Sequence, residues 1–352
     1  MTTITKQSLG ALPCGADVAL YTLKNAQGAY VEIATLGATI VSIHVPDKEG
    51  RLGDVTLGYR DMAGMSTAKG YMGKVVGRYA NRIGGASFTL NGRTYQLAKN
   101  NGENTLHGGI NGFDKKIYQA QVEGESLVLT AESPDGEENF PGAMRWQVTY
   151  SFSDANALRI QYRAECDQDT PVNLTNHVYF NLSGPGCPSA CEHRMQIEAD
   201  YITEVGSSAC IPTGRLFPVE GTPLDLRAPR LVGEGLSQQE TCEQMRFGNG
   251  YDHNFVVRGW DGTLRRIATL WDDASGRCME TWTDQPGVQF YSGNGIAGDL
   301  PGKLGVPYQR RQGLCLETQH FPDSVHHDNF PSCILKKGET FESCTEYRFF
   351  VE

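Results

Sequence analysis

The sequence predicts an all-β protein, built as a large antiparallel β-sandwich with few short helices. Its 352 residues include 41 glycines, and Val, Tyr and Phe recur in short runs, which is typical of many strands joined by tight turns. Alternation of apolar and polar residues returns in segments from residue 30 to residue 351, as expected for strands with one buried face. The sequence lacks a glycine-rich loop between a strand and a helix, which argues against a doubly wound nucleotide-binding fold.

The first strands are predicted at residues 30–33 and 39–45, with a bend or bulge at Gly37 between them and a turn at residues 46–50. A hairpin follows at residues 87–97. Asn91 and Gly92 form its two-residue turn, because this pair readily adopts the positive φ angles that such turns require.

A second hairpin turns at residues 153–156, and the alternation on either side predicts one buried and one wetter face for each strand. The pattern returns at residues 268–271 and 279–282, and a last strand is predicted at residues 347–351. A short helix is predicted only within residues 235–246. We find no linker, repeat or low-complexity segment, so we expect residues 1–352 to form a single domain of stacked antiparallel sheets. The apolar positions of the second hairpin are Trp146, Val148, Tyr150, Phe152, Leu158, Ile160, Tyr162 and Ala164.

Charge and hydropathy restrict the partners. The formal net charge is −10, which argues against nucleic acid and anionic membranes as partners, since those require concentrated Lys and Arg. The first ten residues lack the apolar core of a signal peptide, and nowhere do 18 apolar residues run together. We therefore expect a soluble, cytoplasmic protein that binds a small or neutral ligand.

The ten cysteines are scattered without Cys-x-x-Cys spacing, which favours reduced thiols over a disulfide framework or a zinc site. Cys187 and Cys191, with His193 nearby, come closest to a metal-binding pattern. A single pair at that spacing is too little to predict a metal centre.

The most informative segment is residues 173–183, where a histidine lies in a run that looks like a strand. Val178 and Phe180 alternate with His177 and Tyr179, so one face is apolar and the other carries polar groups. An imidazole with an ordinary pKa of about 6.5 can exchange protons near neutrality, and such a face could bind a hydroxyl-rich ligand. The alternative is a structural histidine at the edge of a strand.

Five further polar clusters lie at residues 77–83, 104–109, 251–255, 286–294 and 314–323. Each allows a structural explanation when taken alone: Arg82 in a surface ion pair, His107 in a turn, Asp252 as a cap and Glu317 at an exposed strand position. Taken together and in order, the clusters closely resemble the aldose 1-epimerase family. Residues 133–142, 211–214 and 225–227 extend the resemblance over nearly the whole chain.

The resemblance implies a β-sandwich that interconverts the α and β anomers of a free aldose without a cofactor or a metal. Glu317 matches the family's catalytic base, and His177 matches its catalytic acid. Galactose and glucose are the expected substrates, and we expect a monomer or a weak dimer. The residues that match sugar-binding positions are Asn81, Arg82, His107, Asp252 and Gln289.

General chemistry agrees with this assignment of acid and base. A glutamate near its ordinary pKa of about 4.3 is ionised at neutral pH, and a histidine close to carboxylates holds its proton longer than usual. A positioned general acid or base contributes roughly 10²- to 10⁴-fold to a rate. We therefore expect an ionised Glu317 beside a protonated His177.

The chain departs from the usual family pattern after residue 324, where His326, His327 and Asp328 follow one another. They resemble metal ligands, but adjacent residues on an extended segment point to opposite sides, so we do not predict a shared metal. This departure concerns the shape of the loop.

Three other functions remain open at this stage. A glycosidase could use Asp252 and Glu317 as paired acids, at a separation that decides the stereochemistry. A noncatalytic carbohydrate-binding protein could have the same fold. A hexose-6-phosphate 1-epimerase would need a basic phosphate pocket, which Arg82 alone does not provide.

Overall fold

The structure is a computed structural model that describes residues 1–298 and 300–352. Strands account for 44% of the chain, which confirms the predicted class. In chain order the strands of the described residues are β1 (Thr3–Ala11), β2 (Asp17–Lys24), β3 (Tyr30–Ala34), β4 (Thr39–Pro46), β5 (Leu52–Asp54), β6 (Val75–Val76), β7 (Arg82–Ile83), β8 (Ser87–Leu90), β9 (Arg93–Gln96), β10 (Thr105–Leu106), β11 (Gln119–Glu123), β12 (Ser126–Ser133), β13 (Met144–Phe152), β14 (Ala157–Cys166), β15 (Thr170–Pro171), β16 (Thr175–Asn176), β17 (Arg194–Ile197), β18 (Tyr201–Val205), β19 (Pro212–Pro218), β20 (Arg230–Leu231), β21 (Asp252–Val256), β22 (Arg265–Asp272), β23 (Arg277–Thr283), β24 (Gly287–Tyr291), β25 (Cys315–Gln319), β26 (Ile334–Leu335) and β27 (Thr340–Val351).

Three short α-helices interrupt the strands within the described residues: α1 (Met62–Thr67), α2 (Val232–Ser237) and α3 (Glu243–Phe247). The helix predicted within residues 235–246 is present as α2 and α3, but a 3-10 turn at Gln239–Thr241 separates them. Helix α1 was not predicted. The Asp61 side chain caps α1 by accepting a 2.7 Å hydrogen bond from the amide of Gly64. Across the described parts of the chain, no helix is both long and apolar enough to span a bilayer.

Three large sheets form the body of the described part of the protein. Nine strands make the largest, in the order β11-β12-β13-β14-β27-β23-β22-β17-β20, and two five-stranded sheets have the orders β1-β2-β3-β4-β5 and β19-β18-β21-β24-β25. The paired strands of these sheets run antiparallel, as predicted. An isolated parallel bridge joins Tyr79 to Asn173.

The two predicted hairpins are confirmed. Strands β8 and β9 pair from Ser87–Gln96 to Leu90–Arg93, and Asn91 and Gly92 have φ angles of 51° and 75°. Strands β13 and β14 pair over their length, and their apolar positions are buried while the intervening positions are more exposed. The alternation therefore identified the face that enters the core.

The main core lies between these sheets. One buried cluster combines side chains from the first sheet, the nine-stranded sheet and the sheet that ends at β25, among them Ile33, Tyr150, Phe290 and Phe349. The Tyr150 hydroxyl also donates a 2.7 Å hydrogen bond to the carbonyl of Ala38, which joins the nine-stranded sheet to the loop before β4. Burial of each large apolar side chain stabilises the fold by roughly 1.5–3 kcal/mol.

The segment around His177 differs from its prediction. Only β16 is a strand there, and His177 lies just beyond it, in irregular backbone. The strand that we expected through this run is therefore wrong beyond residue 176, and residues 171–182 are all buried. The reason is that the chain passes between other elements: Thr175 pairs with Val76, and Phe180 bridges to Leu314. The alternation still sorts the side chains, since Phe180 packs in the main core and Tyr179 in a separate cluster.

Candidate active site

One wall of the site is formed by β21, β24 and β25. These strands are neighbours, with Asn254 opposite Gln289 and Gln289 opposite Glu317. Because side chains alternate along a strand, Gln289 and Glu317 lie on one face while Phe290 and Leu316 enter the main core from the other. The alternation that builds the core thus also lines up the polar side chains.

A second wall comes from the short ladder of β7 and β10, in which Arg82 pairs with Leu106. The ladder brings Asn81 and His107 together, and the His107 amide donates a 3.0 Å hydrogen bond to the Asn81 carbonyl. Gly108 follows at φ 85°, and a Cβ atom there would lie 1.9 Å from the carbonyl oxygen of Gly77. Only glycine fits at this point of the predicted cluster.

His177 is held between these walls by its backbone. Its amide donates to the Lys74 carbonyl, and its carbonyl accepts from the Gly73 amide, both at 2.9 Å. The ring lies near Glu317: Nε2 is 3.8 Å from Glu317 Oε1, and the two side chains are only 7% and 3% exposed. The predicted acid and base, 140 residues apart in sequence, are therefore adjacent and buried.

Arg82, Asp252 and Gln289 form a hydrogen-bonded network beside this pair. Asp252 accepts a bond from Arg82 Nη2 at 3.4 Å and from Gln289 Nε2 at 2.7 Å. The side chains of Arg82 and Asp252 are 14% and 16% exposed, more than those of His177 and Glu317. Arg82 and Asp252 are thus more open to solvent than the acid–base pair. All seven site residues that the sequence predicts are brought together.

Two buried oxygens of the site have no hydrogen-bond donor within residues 1–298 and 300–352. They are Oε1 of Gln289 and Oε2 of Glu317, on residues that face each other across β24 and β25. Buried polar atoms in proteins are rarely left unpaired. Two acceptors without donors, next to a proton-exchanging pair, suit a ligand with several hydroxyl groups.

Burial shifts both members of the acid–base pair toward their neutral forms. It raises the pKa of Glu317 well above its usual range, and the charge of Asp252 raises it further, while Arg82 acts in the opposite direction. Burial lowers the pKa of His177 to about 4. The expectation of an ionised glutamate beside a protonated histidine is therefore reversed in the ligand-free site, because both charges have lost their hydration.

The pair nevertheless holds one proton that it can donate and one lone pair that can accept a proton. A protonated Glu317 with a neutral His177 holds the same number of protons as an ionised Glu317 with a protonated His177. Transfer of a single proton between the two side chains converts one state to the other. The site can thus supply an acid and a base together without bringing any net charge into the protein.

His107 has a defined tautomer. The backbone amide of Asn81 donates a 3.1 Å hydrogen bond to its Nδ1, so Nδ1 must be unprotonated. Burial, aided by His177 and Arg82, lowers the pKa of His107 well below its usual value. The ring is therefore neutral, with its proton on Nε2, and that nitrogen is a hydrogen-bond donor.

This tautomer bears on metal binding. One nitrogen of His107, one of His177 and a carboxylate oxygen of Glu317 lie within 4.8 Å of one another, and such ligands suit zinc in principle. His107 Nδ1 is already bonded to Asn81, and Nε2 carries the proton. Ligation would break that bond or require an imidazolate, so the donor set does not fit a metal.

The sequence did not single out four other side chains of this region. The Tyr71 ring centroid is 4.7 Å from that of His107 and 5.9 Å from that of His177, and Tyr179 stacks on His177 at 4.9 Å. Tyr291 contacts His177 edge-on, and Cys315 Sγ lies 3.5 Å from His177 Nδ1. Two features of the sequence could have pointed to them. Glycines flank residues 71–72, and Cys315 lies two residues before Glu317.

The remaining candidate ligands serve other purposes. His193 Nε2 accepts a hydrogen bond from the Leu182 amide, so the lone pair of that nitrogen is already occupied and is not free to bind a metal. His326 and His327 converge on Asp323 rather than on Asp328, at 2.6 Å and 3.5 Å. Asp323 in turn accepts a bond from the Gly84 amide, so this loop supports the backbone that follows Arg82.

Comparison with known proteins agrees with this geometry. The family model for aldose 1-epimerase matches residues 19–348. The chain belongs to the aldose 1-epimerase family. It is 43% identical to a galactose mutarotase from Bos taurus over 352 residues, which cover all of both chains. It is 36% identical to an aldose 1-epimerase from Escherichia coli, over 97% of each.

A solved structure gives the same result for the fold. An aldose epimerase homologue from C. elegans superposes with a TM-score of 0.85 at 27% identity, over all of this chain and 99% of that one. Membership in the aldose 1-epimerase family makes the protein an isomerase that interconverts the anomers of an aldose. Its substrate is a sugar.

Proposed function

We propose that the protein interconverts the α and β anomers of free galactose and glucose, with Glu317 as the base and His177 as the acid. The observation that carries the assignment is the buried pair itself, with 3.8 Å between His177 Nε2 and Glu317 Oε1. The acceptor atoms without donors on Glu317 and Gln289 provide bonding positions for sugar hydroxyls beside it.

The reaction needs one proton to leave and one to arrive. A proton first moves from Glu317 to His177, which gives the ionised pair. The carboxylate then takes the proton of the C1 hydroxyl, and the oxygen's electrons form a C1 carbonyl as the bond from C1 to the ring oxygen breaks. The ring oxygen keeps that electron pair and receives the proton of His177. After rotation about the C1–C2 bond, the same steps in reverse close the ring and form the other anomer.

The other five predicted residues hold the sugar in this proposal. His107 presents an N–H group, because its tautomer is set by Asn81. The Asn81 side-chain oxygen accepts from the Arg82 amide at 2.9 Å, which leaves its NH₂ group as a donor. Arg82 and Asp252 lie at the more exposed side, and Gln289 faces Glu317. Such fixed donors and acceptors orient C1 and the ring oxygen between base and acid.

Polarimetry tests the proposal. Freshly dissolved α-D-galactose and α-D-glucose are followed with wild-type protein, with Glu317→Gln and with buffer alone. We expect the wild type to speed the approach to the same final rotation and Glu317→Gln to lose nearly all of that effect. Well-folded wild-type protein that leaves the spontaneous rate unchanged would refute the proposal for these sugars.

The same measurements distinguish the alternatives. A noncatalytic binding protein would bind galactose in calorimetry without accelerating its mutarotation. A hexose-6-phosphate 1-epimerase would be inhibited by a sugar phosphate more strongly than by the free sugar. The Arg82 guanidinium is already bonded to Asp252 and Asn101, which favours the unphosphorylated sugar.

We further propose a single domain of 352 residues, a cytoplasmic location and a monomer or weak dimer. The continuous main core, which includes residues from Tyr21 to Phe349, supports one domain. The ten free cysteines support a reducing compartment. Sedimentation at several concentrations checks the oligomeric state, and localisation of the tagged full chain checks the compartment.

A further inference from the structure

Tyr71 lies where the two imidazoles of the site meet. Its ring is edge-on to His107, with 4.7 Å between centroids, and nearly parallel to His177 at 5.9 Å. The rings of His107 and His177 are themselves 5.3 Å apart. Tyr71 thus packs against the proposed acid and against the N–H donor at once.

The backbone holds Tyr71 in this position at a conformational cost. Its φ angle is 58°, a left-handed conformation that large side chains rarely adopt. The same turn is tied to the site, because the Tyr71 carbonyl accepts from the Lys74 amide and Gly73 donates to the His177 carbonyl. Unfavourable backbone angles persist where the surroundings enforce them and cluster at ligand sites.

The Tyr71 hydroxyl has no hydrogen-bond partner among the residues that the structure describes. The side chain is only partly buried, and its oxygen is not among the enclosed unpaired atoms. By contrast, the Tyr79 and Tyr291 hydroxyls bond to backbone groups. Burial raises the pKa of Tyr71 to about 12, so the phenol keeps its proton and can donate.

We propose that the Tyr71 hydroxyl donates a hydrogen bond to a sugar hydroxyl and so helps to select and orient the substrate. This inference rests on the proposed function, since it assigns a further contact in the same site. It gives Tyr71 a role in binding rather than in proton transfer. The contact forms in the ground state and persists as the ring opens, so its loss raises KM more than it lowers kcat.

The test compares Tyr71→Phe with wild type on galactose and on its 2-, 3-, 4- and 6-deoxy derivatives. Phenylalanine keeps the ring on both histidines, and no group of the described chain loses a partner, so the fold is expected to be unchanged. Tyr201→Phe, at an exposed position on β18, is the matched control. We expect KM for galactose to rise about three- to tenfold, in keeping with one net hydrogen bond, and kcat to stay within about twofold.

The deoxy sugars identify the partner. The sugar that lacks the contacted hydroxyl should bind equally well to both proteins, whereas the others should keep the full difference. Equal kinetics with every sugar, or the same loss with every deoxy sugar, would overturn the proposed contact. If the wild type proves inactive, the proposed function fails, and calorimetric binding of the same sugars to wild type and Tyr71→Phe then decides the contact independently.

Discussion

Glu317→Gln should affect activity and stability in opposite directions. Loss of the base should lower the rate of anomer interconversion by about 10²- to 10⁴-fold, because an amide cannot accept the proton of the C1 hydroxyl. The same change should stabilise the fold, because the amide is uncharged at every pH, whereas the buried carboxyl of Glu317 must be kept protonated as the pH rises.

The stability difference should depend on pH. In the unfolded chain Glu317 loses its proton near its ordinary pKa of about 4.3, whereas burial keeps it protonated to higher pH in the fold. As pH rises through that interval, the unfolded wild type releases a proton that the folded form retains. Wild-type stability then falls by about 1.4 kcal/mol per pH unit, until the folded pKa is passed. The glutamine variant lacks this contribution.

Thermal unfolding of both proteins between pH 5 and pH 9 measures the effect. For 352 residues the unfolding entropy is about 0.7 kcal/mol per kelvin, so 1 kcal/mol corresponds to about 1.4 °C in Tm. The Tm advantage of Glu317→Gln should grow by about 2 °C per pH unit and then level off. Exposed Glu123→Gln on β11 is the control for the amide itself. A gap that does not change with pH would refute the assignment of a strongly raised pKa.

Three further outcomes can be checked. The wild-type kcat/KM should follow a bell-shaped pH profile with its acid limb near pH 4, because His177 then takes up a proton and the pair holds two. A profile that stays flat down to pH 3.5 would contradict this assignment of the acid limb. His177→Asn should lose at least about 10²-fold in rate. Burial lowers the pKa of His193 to about 4, so below pH 6.5 the unfolded state takes up a proton first and the wild type loses stability. In urea unfolding, His193→Gln should lose about 3 kcal/mol less stability than the wild type between pH 6.5 and pH 4. An equal loss of stability in both proteins would contradict the lowered pKa. The buried Arg78 guanidinium donates to the carbonyls of Pro141 and Gly142, so Arg78→Met should cost about 3 kcal/mol in urea unfolding, and a loss below about 1 kcal/mol would show that these acceptors find other donors.

Local pattern was sufficient for the regular hairpins. In β13 and β14 the period of two identified the buried face correctly, since each strand has one neighbour on either side and one face in the core. The turn at Asn91 and Gly92 could also be predicted from local sequence, because its backbone angles depend on those two residues themselves.

The same reasoning failed around His177 because that segment is not part of a long ladder. Its backbone bonds go to Lys74 and Gly73, and Phe180 bridges to Leu314. The backbone is therefore irregular after residue 176, although the alternation suggested a continuous strand. Sequence also missed Tyr71, whose ring contacts two histidines that lie 36 and 106 positions away in the chain.

The sequence by itself determined the all-β class, the hairpins and, through family resemblance, the seven residues that the structure brings together. Which of them is charged was decided only by the tertiary structure. Burial raises the pKa of Glu317 and lowers that of His177, and Asn81 sets the proton of His107. A protonation state follows from the water that a group loses and the dipoles that replace it, and those come from segments far apart in the chain.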